Sequence, residues 1–74
     1  MKFSPRQLER LSTLGYKLNL VENQVYADDG YGDSLISIHD DGAIRYDYVP
    51  HDYPENAEYC EYDNFAKLAK ALDI

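Results

Sequence analysis

The sequence predicts a small α+β domain, an antiparallel sheet of four to five strands with an N-terminal and a C-terminal helix packed on one face. Three observations lead there. Apolar residues recur at helical spacing only near the two ends, they alternate with polar residues at period two in between, and Asp-Gly and proline signals punctuate the alternating stretches.

The first element is a helix over roughly residues 5 to 14. Ser4 serves as N-cap, Pro5 takes the first helical position, and Gln7 completes a capping box three residues after the cap. Phe3 and Leu8 supply a hydrophobic staple, and Leu8, Leu11 and Leu14 form one apolar stripe. Gly15 is placed to adopt the left-handed conformation that ends the helix, with Tyr16 folding back on Leu11.

From Tyr16 the period becomes two, since Tyr16, Leu18 and Leu20 alternate with Lys17 and Asn19. A turn at Glu22-Asn23 then pairs Leu20 with Val25 and Leu18 with Ala27. After the interruption Asp28-Asp29-Gly30-Tyr31-Gly32-Asp33 a second hairpin sets Ser34 to His39 against Ala43 to Val49. A two-residue Asp41-Gly42 loop would oppose Ile38 to Arg45. A three-residue Asp40-Asp41-Gly42 loop opposes Ile38 to Ile44 and Ile36 to Tyr46, which keeps apolar residues together and puts Gly42 in a left-handed bulge. Pro50 and Pro54 open a loop, a short fifth strand covers Glu58 to Tyr62, and Asp63 caps a last helix whose Phe65, Leu68, Ala69 and Leu72 share a face while Lys67 and Lys70 meet water.

Seventy-four residues make a single domain with a thin core. One cysteine, Cys60, excludes an internal disulfide, and it is expected to be a small buried hydrophobe. With no apolar leader after Met1 and no apolar run long enough for a membrane span, the chain is expected in the cytoplasm.

Charge is the most uneven property. The chain carries −7 in all, yet residues 22 to 63 hold −11 and seven of the eight tyrosines, while residues 1 to 21 hold +3. Such a middle segment repels nucleic-acid backbones and anionic membranes and attracts basic partners.

No catalytic residue set emerges. Ser37, His39 and Asp41 contain the residue types of a triad, but Ser37 and His39 stand two apart on one strand, about 6.5 to 7 Å between Cα atoms, with side chains parallel rather than converging. Gly30 and Gly32 are ringed by carboxylates, lack a lysine and do not lead into a helix, so they do not form a phosphate loop. The acids of residues 28 to 33 lack the alternating pattern of a calcium loop. His39 with Asp40 and His51 with Asp52 map to opposite ends of the sheet, so no metal or other cofactor is expected.

The hairpin order gathers residues 28 to 33 and 50 to 57 at one end of the sheet. The expected partner-binding residues are therefore Asp28, Asp29, Tyr31, Asp33, Asp52, Tyr53 and Glu55, beside His51. Carboxylates accept bidentate arginine bonds, and tyrosine gives contact area at low entropy cost. The expectation is a protein-binding module, most concretely an inhibitor that occupies the nucleic-acid site of a basic partner, as DNA mimics and phage-type counter-defence proteins do. The alternative is an assembly protein that homodimerises through an open sheet face bearing Tyr26, Leu35, Val49 and Tyr59.

Overall fold

The computed structural model of the protein describes residues 1–21 and 23–74. Helix α1 (Pro5–Ser12) is followed by strands β1 (Lys17–Leu18), β2 (Gln24–Asp28), β3 (Gly32–Ile38) and β4 (Ile44–Pro50), a 3-10 turn at Pro54–Asn56, strand β5 (Glu58–Tyr62) and helix α2 (Phe65–Leu72). The strands form one antiparallel meander in the order β1-β2-β3-β4-β5.

The start of α1 obeys its sequence signals. Ser4 Oγ accepts from Gln7 N–H, and Gln7 Oε1 accepts from Ser4 N–H at 2.9 Å. The helix stops two residues before the expected end, where Gly15 adopts φ +89° and Tyr16 N–H donates to Leu11 O at 3.3 Å. Tyr16 is buried beside Leu11, but Leu14, expected on the apolar stripe, lies beyond the last helical residue and is exposed.

Alternation then sorts the sheet faces. Ser34, Ile36 and Ile38 of β3 are buried, and they share their face with Val25 and Ile44. Leu11 of α1 and Phe65, Leu68 and Ala69 of α2 complete this core, so both helices cover the same face. Phe3 meets Phe65 edge to face, and Arg10 joins the two ends by donating to Ile74 O at 2.8 Å. Among the described residues no helix lies over the opposite face, which carries Gln24, Tyr26 and Asp28 of β2, Asp33, Leu35 and Ser37 of β3, and Arg45, Asp47 and Val49 of β4.

The β3–β4 hairpin has the expected register, Ile38 opposite Ile44 and Ile36 opposite Tyr46, with Gly42 at φ +88° in its turn. Three other details depart from expectation. In the first hairpin Leu18 opposes Val25 rather than Ala27, and Asn19 N–H donates to Gln24 O, a shift of two residues that preserves the faces. Asn19 Nδ2 also donates to Gln24 Oε1 at 2.6 Å, closing the strand pair early and leaving Leu20 fully exposed. Of the expected Glu22-Asn23 turn, Glu22 lies outside the described residues. Second, Asn64 rather than Asp63 caps α2: its Oδ1 accepts from Lys67 N–H at 3.0 Å, while Asp63 pairs with the Lys67 ammonium. Third, Cys60 is exposed, because it shares the row of Ile36 and Tyr46 but sits on the edge strand.

Candidate functional site

At the end of β2 the chain turns through Asp29-Gly30-Tyr31 and re-enters the sheet at Gly32. The segment expected as an interruption is thus the tip of a hairpin in which Asp28 lies directly opposite Asp33. Asp29 organises that tip. Its Oδ1 accepts the N–H groups of Tyr31 and Gly32 at 2.8 and 2.9 Å, and its Oδ2 accepts the Tyr48 hydroxyl at 3.4 Å. Those amide donors hold the Asp29 carboxyl below the usual carboxylate range. Gly30, at φ +88°, turns its own N–H onto Asp28 Oδ1 at 2.8 Å.

Proline ends the neighbouring strand. Pro50 is the last residue of β4, opposite Gly32, and His51 N–H donates across to Tyr31 O at 2.9 Å. That bond joins the loop after β4 to the hairpin tip and fixes where the imidazole begins. His51 Nε2 lies 3.4 Å from Asp28 Oδ1 and 3.4 Å from Asp33 Oδ1. The Asp33 hydrogen bond, with the charges of Asp28, Asp33 and Asp29 behind it, raises the imidazole above the usual histidine range against a smaller opposing effect of desolvation.

The loop continues through Asp52 and Tyr53 into the 3-10 turn containing Glu55, where Asn56 N–H donates to Tyr53 O at 2.9 Å. All seven expected partner-binding residues stand at this end of the sheet. Asp28, Asp29, Tyr31 and Asp33 are bound into one hairpin, whereas no side-chain hydrogen bond among the described residues ties Asp52, Tyr53 or Glu55 to it. Tyr31 is 82 % exposed and Tyr53 60 %.

Sequence reasoning placed His51 at the same end of the sheet as Asp28 and Asp33 but did not read the three as one cluster, because in weighing metal ligation it paired each histidine with the aspartate next to it in the chain. The available signal was the cross-strand one: an Asp at each end of a four-residue tip, and a proline that ends the next strand one residue before the histidine. His39 belongs to the opposite turn, where Asp40 pairs with the N-terminal ammonium and Asp41 accepts from Ala43 N–H. Ser37 Oγ accepts from Gln24 Nε2 at 3.0 Å, so the three triad-like residues serve the sheet and its turn. The concavity of about 370 Å³ beside Met1, Lys2, Val21 and Asn23 lies at that other end as well.

The open face carries its own polar network. Arg45 pairs with Asp47 at 3.1 Å and lies over the Tyr59 ring, 4.3 Å from its centroid. Tyr26, on the same face, is exposed. Because Asp28 and Asp33 point to this side too, the face runs without a break into the acidic end. Among the described residues no helix is long and apolar enough to cross a membrane. No family model, curated protein or solved structure matches the chain.

Proposed function

We propose that the protein is a non-enzymatic binding module for a basic protein surface, engaged through the hairpin tip at residues 28 to 33 and the loop at 50 to 57. The observation that carries this reading is the His51 N–H bond to Tyr31 O, which sets two acidic loops side by side beneath two strongly exposed tyrosines. An arginine-rich patch suits such an end: carboxylates take the guanidinium groups in bidentate fashion, and the tyrosine rings offer both apolar area and faces for cations. Basic patches of that kind are what nucleic-acid-binding proteins present, and a competitor with closely spaced carboxylates blocks them by imitating phosphate density. The proposed role is therefore an inhibitor that covers a nucleic-acid site, of the sort phage and mobile elements use against host defences. An exposed, unpaired Cys60 thiol suits the reducing cytoplasm as the compartment of action.

The test is capture from the source cell on immobilised wild-type protein, followed by surface plasmon resonance on the captured partner at two salt concentrations. Neutralising Asp28, Asp29, Asp33, Asp52 and Glu55 to Asn or Gln should slow association and flatten its salt dependence. Tyr31→Ala and Tyr53→Ala should instead speed dissociation, by roughly thirtyfold for a loss of about 2 kcal/mol. Rate constants and salt response that survive all seven substitutions would reject this surface. The second reading, homodimerisation through the open face, draws on the exposure of Tyr26 and Tyr59 beside Leu35 and Val49. Light scattering after size exclusion separates the two, since obligate dimerisation favours the assembly reading.

A further inference from the structure

The Asp28–Asp33 pair poses an electrostatic problem that the inhibitor role does not require. Directly opposed like charges on adjacent strands are destabilising, and here the two carboxylates sit on one face of a narrow hairpin. The ion pairs formed by basic side chains lie elsewhere among the described residues, Arg45 on Asp47 and Lys67 on Asp63. Among the described residues His51 alone brings a basic side-chain nitrogen within 4 Å of the acid pair, and it does so at 3.4 Å from each oxygen, well beyond the ~2.7–2.9 Å of a charge-assisted hydrogen bond.

A distance of 3.4 Å makes a long hydrogen bond from His51 to Asp33, and it also matches the spacing of ligands around a metal ion. Nitrogen and oxygen ligands bound to zinc at about 2.0–2.1 Å stand about 3.3–3.4 Å apart when tetrahedrally disposed. One imidazole nitrogen and one oxygen from each carboxylate all lie within 4.8 Å of one another. The backbone around them is held without any ion, by the Asp29 bonds to Tyr31, Gly32 and Tyr48 and by the His51 amide on Tyr31. The three side chains are about half exposed, which leaves further coordination positions to water.

We propose that Asp28, Asp33 and His51 form a binding site for a divalent transition-metal ion of the zinc class. The imidazole selects against calcium and magnesium, which take oxygen ligands, and a dication offsets both carboxylates where one imidazolium offsets them incompletely. The ion supplies a shared positive centre at the hairpin tip and open positions for water or for a partner's ligand. The site stands or falls on the isolated protein, so its failure is distinguishable from failure of the partner-binding reading.

The test is titration of the free protein with zinc chloride by calorimetry, with proton–nitrogen NMR spectra and His ring spectra recorded in parallel. The expected result is one ion per chain, with shifts confined to Asp28, Asp33, His51 and their neighbours. His51→Gln and the double variant Asp28→Asn/Asp33→Asn should each weaken binding by about tenfold or more, while His39→Gln leaves it unchanged. Manganese(II) used as a paramagnetic probe should broaden the same resonances first. Circular dichroism melting of each variant checks that it is folded, and all four positions are on the surface or at its rim. Absence of binding would overturn the proposal. So would zinc binding that survives His51→Gln, binding lost in His39→Gln, or displacement of zinc by an equal concentration of calcium.

Discussion

Replacing Gly32 by Ala should destabilise the protein through a collision rather than a forbidden dihedral. Gly32 opens β3 with its α-carbon opposite Pro50, and a Cβ built there would stand 2.7 Å from Tyr48 Cζ, 2.7 Å from Tyr48 Oη and 2.7 Å from Val49 O. Ordinary carbon contacts begin near 3.5 Å, so all three must move. The tyrosine ring can swing outward, but Val49 O belongs to the backbone of β4 and yields only if the β3–β4 ladder opens. Overpacking of this kind costs about 1–3 kcal/mol, a large part of the ~4–11 kcal/mol expected for a chain of this length. For a domain this small each kcal/mol moves Tm by about 4–8 °C, so circular dichroism melting should register a drop of at least several degrees. The tip should loosen with it, because Tyr48 carries its hydroxyl to Asp29. Two controls isolate the cause. At Gly42 a Cβ meets nothing within 4 Å and the difficulty is φ +88°, so Gly42→Asn should be milder than Gly42→Ala. At Gly32 the order reverses, and Asn should be worse than Ala. In a Tyr48→Ala background Gly32→Ala should still cost stability through Val49 O. An unchanged Tm for Gly32→Ala would refute the close approach of β4 on which the position of the tip depends.

Two further expectations follow from particular contacts. Asn64→Ala should lower the urea midpoint by an amount equivalent to about 1 kcal/mol, because it removes the side-chain acceptor for Lys67 N–H, whereas Asp63→Ala removes only an exposed ion pair and should leave the midpoint almost unmoved; equal effects would contradict the cap assignment. Burial, aided by the Tyr46 hydroxyl, pushes the Tyr16 phenol well above its ordinary value of 10.0. Its folded pKa is raised, so the associated stability is fully present below about pH 10 and is lost as pH climbs toward the folded value, where the unfolded chain ionises and the folded one does not. Tm measured from about pH 9 to 11.5 should fall, less steeply in Tyr16→Phe, and tyrosinate absorbance should show a late-titrating fraction that shrinks in Tyr16→Phe, the remainder coming from Tyr48, which desolvation and Asp29 also raise. A Tyr16→Phe profile that parallels wild type would remove Tyr16 as the source.

Most of the fold was legible because local signals agreed with one another. Ser4, Pro5 and Gln7 define the start of α1 through neighbouring atoms, and the β3–β4 register was decidable because the competing turn would have set Ile38 against Arg45. Where two solutions preserved the faces, the sequence offered no preference. Moving Leu18 from Ala27 to Val25 keeps it on the same side of the sheet, and the observed register is accompanied by an Asn19–Gln24 side-chain bond that hydrophobic periodicity does not reveal. Asp63 and Asn64 are both good cap residues, and which one caps depends on the exit angle of β5. Cys60 has the period of a core residue and the exposure of an edge one, because burial depends on how far α2 reaches across the sheet.

The candidate site was legible in its location and not in its chemistry, and the difference lies in the kind of information each requires. Gathering residues 28 to 33 with 50 to 57 needs only strand order, which alternation and turns supply. Bringing Asp28 and Asp33 onto one face needs the hairpin's register. Adding His51 needs the point at which β4 ends, and Pro50 sets that point by having no N–H for the ladder, so that the next residue donates instead to Tyr31 O. The triad of ligand atoms is thus assembled by two backbone facts five residues and eighteen residues away from each other in sequence separation, Asp28 to Asp33 and Asp33 to His51. Neither fact resembles a metal motif, since strand-borne ligands need not keep the fixed spacings that helix-borne ones do. A consequence separates this site from an incidental surface cluster: the exchange Ala27→Asp/Asp28→Ala carries one carboxylate to the helix-covered face of the sheet and should abolish zinc binding while leaving the composition unchanged.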